Sequence, residues 1–385
     1  MFKKLLVPLD GSMLSEKVLP YAVRLANRID ASILLLRIVD APAYKPVSYE
    51  QQQSLIEAAG NYLAEVVKTL ANPELQVSTP PQRVETKVVF GEPVKEICEL
   101  ALFEKADLIV MSTHGRSGLS RLLMGSVASQ ILHNTALPVM LLRPFTQKND
   151  QLLVETLYGI GEQNVCCFDE SNGRILLTLD GSEVGEVAIE PAVELARKLN
   201  ATVYLLRVVH PFNPVTYGDM IGLGYDRNDA ATNLKEAIDD GMMYLNEVEK
   251  LLNAKGVPCV KTVRSGVTAM EIIDYVQQIE PNAIVMATHG RGEVGHLFMG
   301  SVAEEVMRQS HLPVLMVPAR QTVKEAEKEA RKETERVQFV PTGREGFGAS
   351  FRHTTEVKGH GFDPAFEISF HESLEKPTSS GTPLD

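Results

Sequence analysis

Two stretches of the chain place glycine, serine, histidine and arginine at the same spacing. They are MSTHGRSGLSRLLMGSVA at residues 111–128 and MATHGRGEVGHLFMGSVA at residues 286–303. Nine residues separate Gly115 from Gly125, and nine separate Gly290 from Gly300. Glycine permits positive φ and lets a bulky group approach main-chain N–H groups closely. The closing pair, Gly125-Ser126 or Gly300-Ser301, opens a helix. The first N–H groups of such a helix lack internal partners and carry the positive end of its dipole. Ser126 and Ser301 add hydroxyl donors, and Arg116 and Arg291 can neutralise charge. A glycine loop followed by a helix N-terminus suits a phosphate. Gly-Ser at a helix start also serves as a plain cap; the duplicated spacing favours a site.

Other chemistries fit less well. GRGEVG at 290–295 has the G-x-G-x-x-G form, but it follows the fourth strand of its unit. A dinucleotide fingerprint belongs after the first strand, with an acid ending the next. The first copy, GRSGLS, breaks the pattern. A P-loop is absent, so no lysine is placed to stabilise a leaving phosphate, and no general base stands at the loop. The cysteines Cys98, Cys166, Cys167 and Cys259 form no CxxC or zinc spacing, and His353, His360 and His371 fit no standard chelate. No metal site from protein side chains is expected.

The elements that position the glycine phrases repeat as well. KKLLVPLDGS near the start matches GRILLTLDGS from 173. ASILLLRIVDAP at 31–42 matches ATVYLLRVVHP at 201–211, VVFGEPVKEI matches VRSGVTAMEI, and NTALPVMLLRP matches QSHLPVLMVP. The offset drifts only from 170 to 175. Each unit is the size of a domain rather than of a solenoid repeat. The chain divides into a first domain at 1–145, a linker at 146–172, a second domain at 173–319, and a charged helix with a tail lacking regular structure at 320–385. Phe347, Phe351, Phe362 and Phe366 are candidate partner anchors in that tail.

Within the first unit, short β-branched runs at 5–9, 33–39, 84–90, 108–111 and 139–142 read as buried strands. Residues 15–29, 50–70, 92–105 and 126–134 read as helices. The alternation predicts an α/β protein built of open, doubly wound, five-stranded, mostly parallel sheets. Ligands bind such sheets beyond the carboxyl ends of the strands. Pro8 and Asp10, Asp180, and Val39 and Val209 fall at those ends, as do Met111 and Met286. The aspartates could accept hydrogen bonds from a base or ribose, or turn the chain and cap the next helix. The valines could wall a base, or fill the core.

Hydrophobic residues at 44% and charged residues at 23% describe an ordinary soluble composition. A net charge of −12 argues against a nucleic-acid binder, which needs clustered Lys and Arg. Pro8 and Asp10 interrupt the N-terminal apolar run, so no signal peptide is read. No stretch reaches membrane-helix length. A cytoplasmic protein without membrane contact is expected.

Taken together, these residues resemble the universal stress protein family, over 1–144 and about 172–319. The family motif G-x-x-G-(nine residues)-G-[S/T] is intact in its later part. Its first glycine is Ser112 in one unit and Ala287 in the other. The resemblance implies an adenine nucleotide alpha hydrolase-like fold with ATP held by the loop and Gly-Ser turn, and Mg or Mn carried on the phosphates. It implies nucleotide contacts from Pro8, Asp10, Val39, Met111, Ser112, His114, Gly115, Arg116, Gly125, Ser126 and Val127. In the second unit it implies Asp180, Val209, Met286, Ala287, His289, Gly290, Arg291, Gly300, Ser301 and Val302. It also implies dimers formed through fifth strands. In a tandem chain the two units can pair internally as a pseudo-dimer, with a homodimer as a further state. The expected function is an ATP-binding stress-response regulator without strong catalysis. The alternatives are a slow ATPase or autokinase and a nucleotide-free scaffold that recruits a partner.

Overall fold

The computed structural model describes residues 1–40, 48–70, 83–113, 124–143, 173–210, 227–289, 299–318 and 367–370. The first unit runs β1 (Lys4–Pro8), α1 (Met13–Glu16), α2 (Leu19–Ile29), β2 (Ser32–Val39), α3 (Tyr49–Leu70), β3 (Val84–Phe90), α4 (Pro93–Phe103), β4 (Leu108–Ser112), α5 (Ser126–Asn134) and β5 (Val139–Leu142). The second runs β6 (Gly173–Thr178), α6 (Glu183–Glu186), α7 (Ile189–Leu199), β7 (Ala201–Val209), α8 (Arg227–Ala254), β8 (Cys259–Ser265), α9 (Thr268–Ile279), β9 (Ala283–Ala287), α10 (Ser301–Gln309) and β10 (Val314–Val317). A last strand, β11 (Glu367–Phe370), lies in the C-terminal segment.

Inside each unit every strand pair is parallel. The two five-stranded sheets are not separate. β5 and β10 pair antiparallel, and one eleven-stranded sheet results, ordered β11-β3-β2-β1-β4-β5-β10-β9-β6-β7-β8. Fifth strands are the inner edges of the two units, and pairing them satisfies backbone groups that an edge leaves open. Met140 pairs with Leu315, its own counterpart in the repeat, and Val139 and Leu141 pair with Met316 and Val314. That reciprocal register is the signature of a twofold relation.

Alternation along the strands builds two cores. Leu5 and Val7 face α2 and α3, packing against Tyr21, Leu25, Ile56 and Leu63. Leu6 faces the other way, toward Ile97 and Leu100 of α4 and Ile131 of α5. Both cores continue across the junction through Met140 and Leu315 on one face and Leu141 and Val314 on the other. Lys198 at the end of α7 adds a hydrogen bond to the Ile29 carbonyl, 2.8 Å away.

Residues 15–29 were expected as one helix, but the chain breaks it at Lys17-Val18. Pro20 sits in the first turn of α2, where its missing N–H needs no partner. The C-terminal segment was expected to lack regular structure, and β11 departs from that. The charged helix and phenylalanine anchors expected at 320–366 lie outside the described residues, as do His353, His360, His371, Cys166 and Cys167.

At the amino end of the sheet, Lys4 on β1 and Lys87 on β3 both hold Glu104, which follows α4. Burial works to raise the Glu104 carboxyl, but hydrogen bonds from the two lysines outweigh it and hold it below the ordinary glutamate value. A lowered folded-state pKa gives stability that is present above the unfolded value, about 4.3, and lost as pH falls through the folded one. Glu104→Gln is therefore expected to flatten that acid limb in urea unfolding between about pH 5 and about pH 3. An unchanged limb would show that the triad does not couple to folding.

Candidate functional site

The carboxyl ends of the parallel strands in each unit are where the repeated phrase turns. Thr288 follows β9 and is buried. Its N–H donates to the Val317 carbonyl at 2.9 Å, and its own carbonyl accepts from Gly300 N–H at 2.8 Å. The first unit repeats this, with Thr113 N–H to Leu142 at 2.8 Å and Gly125 N–H to Thr113 at 2.7 Å. The two described ends of each glycine phrase therefore meet at one pinned point. From there α5 or α10 starts beside the strand ends.

Those two helix starts have no side-chain cap, as is also true of α2, α7 and α9. Ser12 and Ser182 cap α1 and α6 with their hydroxyls, and Glu92 caps α4. Gly125 and Gly300 occupy the same position before α5 and α10 and offer no side-chain cap. Their backbones are ordinary: φ −59, ψ 147 at Gly125 and φ −64, ψ 146 at Gly300. Any residue can adopt that conformation, so backbone strain does not explain glycine here. Gly300 lines the cleft in the second unit, together with Ser301, Val302 and Ala303.

The cleft, about 690 Å³, is lined from every element the sequence implicates. β6 supplies Thr178, with Leu179 and Asp180 beyond it; β7 supplies Arg207 to Val209, followed by His210; β9 supplies Met286 and Ala287, followed by Thr288 and His289. A cleft of this size suits a small organic ligand. Every described second-unit candidate, from Asp180 and Val209 to His289 and Val302, falls on it. Gly290 and Arg291 lie outside the described residues, as do His114, Gly115 and Arg116. In the first unit, Pro8 ends β1, Val39 ends β2, Met111 and Ser112 end β4, and Gly125, Ser126 and Val127 open α5. Asp10 follows two residues after Pro8. These positions repeat the second-unit arrangement element by element. Thr178 stands where the first unit has Pro8.

The aspartates work through a neighbour. Asp10 Oδ1 accepts from Ser12 N–H at 2.9 Å and Ser12 Oγ at 2.6 Å, and Asp180 Oδ1 accepts from Ser182 N–H at 3.0 Å and Ser182 Oγ at 2.7 Å. The serine, not the aspartate, caps the helix. Behind them, Tyr62 donates to Glu16 at 2.9 Å, and burial together with that carboxylate raises the phenol's pKa. In the second unit Arg207 lies over the Tyr244 ring at 5.0 Å.

The opposite end of the cleft was not foreseen. Thr268 at the start of α9 bonds to His210 Nε2 through its Oγ1 at 3.1 Å, and Ala237 and Asp240 of α8 complete the wall. His210 was legible in principle, as the polar residue directly after the strand-ending Val209. Gly266 N–H donates to the Val209 carbonyl at 3.1 Å, and Gly91 N–H to Val39 at 3.1 Å. Gly266 has φ +155, and a Cβ there would stand 2.5 Å from Glu271 Oε1. Only glycine fits that turn.

Among the described residues no group of three or more His, Cys, Asp and Glu could hold a metal ion, and no helix is long and apolar enough to cross a membrane.

The model of the universal stress protein family matches residues 1–143 and 171–318. The chain belongs to the universal stress protein family. A universal stress protein of Methanocaldococcus jannaschii is 33% identical over 147 residues, covering 37% of this chain and 83% of that protein. One from Mycobacterium tuberculosis strain H37Rv is 22% identical over 315 residues, 80% of this chain and 95% of that one, so it spans both units. Among solved structures, a universal stress protein from Archaeoglobus fulgidus DSM 4304 superposes with a TM-score of 0.54 at 22% identity. It covers 82% of this chain and 96% of its own, a likeness of fold. The tandem universal stress protein architecture is thus shared along most of the chain.

Proposed function

We propose that this universal stress protein binds an adenine nucleotide, ATP foremost, in the cleft of each unit and acts as a cytoplasmic stress-response regulator rather than a catalyst. The observation that carries the reading is the pair of open helix N-termini. Side-chain caps are missing before α2, α7 and α9 as well, but α5 and α10 are preceded by bare glycine, and in the second unit Gly300, Ser301, Val302 and Ala303 line the cleft. Unpartnered N–H groups and the helix dipole favour a phosphate there. Ser126 or Ser301 adds a hydroxyl, and the arginines of the glycine phrases, Arg116 and Arg291, add charge. Strand ends at Val39 and Val209 receive the base, with Asp10 and Asp180 beside the ribose. Ser112 and Ala287 are small enough to leave the cleft open. A divalent cation such as Mg or Mn is carried on the nucleotide phosphates.

The same groups bind a ground-state phosphate as well as a transition state, and uniform binding does not speed chemistry. ATP is therefore expected to raise the melting temperature, by about 2.7 kcal/mol of stabilisation at a hundredfold excess over Kd. Phosphate release should stay below about 1 s⁻¹, the low end of enzyme turnover. Scanning calorimetry with and without ATP and a phosphate-release assay test both parts. Rapid release would make the protein an ATPase; no thermal shift would leave a nucleotide-free scaffold.

A further inference from the structure

The strand β11 follows the second unit in the chain but lies on the outer edge of the first, antiparallel to β3. The sheet has two unit-outer edges, β3 and β8, which are counterparts in the repeat. β8 has no strand beyond it among the described residues. The two differ in sequence at the same positions: Val88-Val89-Phe90 in β3 stands opposite Val263-Arg264-Ser265 in β8. Arg264 pairs with Glu271 at 3.2 Å and stacks on Tyr275 at 4.9 Å, and Lys261 pairs with Glu249. Charged residues along an edge oppose the addition of another strand. β3 carries Glu85 and Lys87, paired with Lys4 and Glu104, and its Val88, Val89 and Phe90 side chains are buried in the unit's own cores. Both edges carry charge, and the β3 edge is also covered by the chain itself.

We propose that the β3 edge is a strand-accepting site, and that a second copy of this chain fills it by donating its own Glu367–Phe370 segment. The complementarity is already realised within one chain: Glu367 pairs with Val89, Ile368 with Val88, Ser369 with Lys87 and Phe370 with Thr86. The same segment from a second copy makes the same ladder and needs no new contact. Residues 319–366 join β10 to β11, and β11 lies six strand positions from β10. At ~4.8 Å per strand that is roughly 30 Å, far less than an extended chain reaches at ~3.3 Å per residue. The joining sequence is 48 residues long, and the longer the sequence between a segment and its site, the lower the effective concentration of that segment there. Donation between copies thus overtakes donation within one as protein concentration rises. Mutual donation closes a twofold pair in which each copy gives one strand and receives one. The β3 edge of each copy is then filled. The inference stands apart from nucleotide binding, since β3 and β11 meet on the outer edge of the sheet.

Two full-length chains test it, one with Thr86→Cys and the other with Phe370→Cys, mixed over a range of concentrations and treated with a short bis-maleimide. Mass spectrometry of the linked peptides separates this link from any to Cys98, Cys166, Cys167 or Cys259. A 86–370 link between the two chains is expected, with a yield that rises with concentration. Adding Ile368→Pro and Ser369→Pro to the donor removes its ladder N–H groups and is expected to abolish the link. A chain carrying both cysteines should link internally at low concentration. An internal link without any link between chains would overturn the proposal. So would a link that survives the two prolines, which would be collision rather than pairing. No link in either arrangement would overturn the β3 edge as an acceptor altogether.

Discussion

Gly300→Val is expected to weaken ATP binding in the second unit by on the order of 100-fold, about 2.7 kcal/mol, with the fold intact. The backbone at Gly300 already has the extended conformation that valine favours. Valine keeps the N–H that donates to the Thr288 carbonyl. What changes is the space at the start of α10, where three methyl-sized groups would occupy the approach to the first N–H groups. Gly125→Val should act in the same way in the first unit. The first unit is expected to be the tighter of the two, because Pro8 fixes φ at the end of β1 where the second unit has Thr178. Gly125→Val should therefore remove the larger share of binding. Calorimetric titration of each variant, with circular dichroism to confirm folding, measures both effects. Two variants that bind as the parent does would reduce the Gly-Ser pairs to helix starts.

Leu315→Ala is expected to cost about 2–5 kcal/mol of stability, the range for truncating a fully buried leucine. Leu315 is completely buried at the centre of the β5–β10 ladder, opposite Met140, which is buried as fully. It belongs to the core that runs from one unit into the other. The cavity it leaves cannot be filled from either side without moving β5 or β10, the strands that join the two units. Urea unfolding measures the loss, with the slope checked for a change in cooperativity. A loss below about 0.5 kcal/mol, the range of substitutions at indifferent surface sites, would mean that the junction contributes little to folding.

The sequence made much of this legible because its signals are local and repeated. Runs such as Leu5–Leu9 and Ile33–Val39 are apolar without alternation, which marks strands covered on both faces. The doubled Gly-x9-Gly-Ser phrase pointed to the strand ends, and the described second-unit candidates line one cleft. The pairing of VMLL with VLMV was implied by the family resemblance and is observed as the β5–β10 ladder. What was hidden is mostly non-local. Nothing near Glu367–Phe370 announces that it pairs with residues more than 270 positions earlier. The His210–Thr268 bond joins two elements separated by α8 and β8. The break between α1 and α2 did have a local signal in Pro20, overridden by the apolar stripe from Val18 to Ile29. Asp10 and Asp180 were weighed as caps or ligand acceptors; as to the cap, they orient the serines that cap rather than capping themselves. That distinction is a matter of side-chain geometry two residues away, which residue type alone does not fix.

The central claim is that each unit holds an adenine nucleotide at an open helix N-terminus, and isothermal titration of ATP into the purified full-length chain tests it most directly. The account predicts saturable binding that exceeds one nucleotide per chain, falls to a single class of site in either Gly125→Val or Gly300→Val, and disappears when both are combined. Titration that shows no saturable binding, or binding that persists in the double variant, would contradict it.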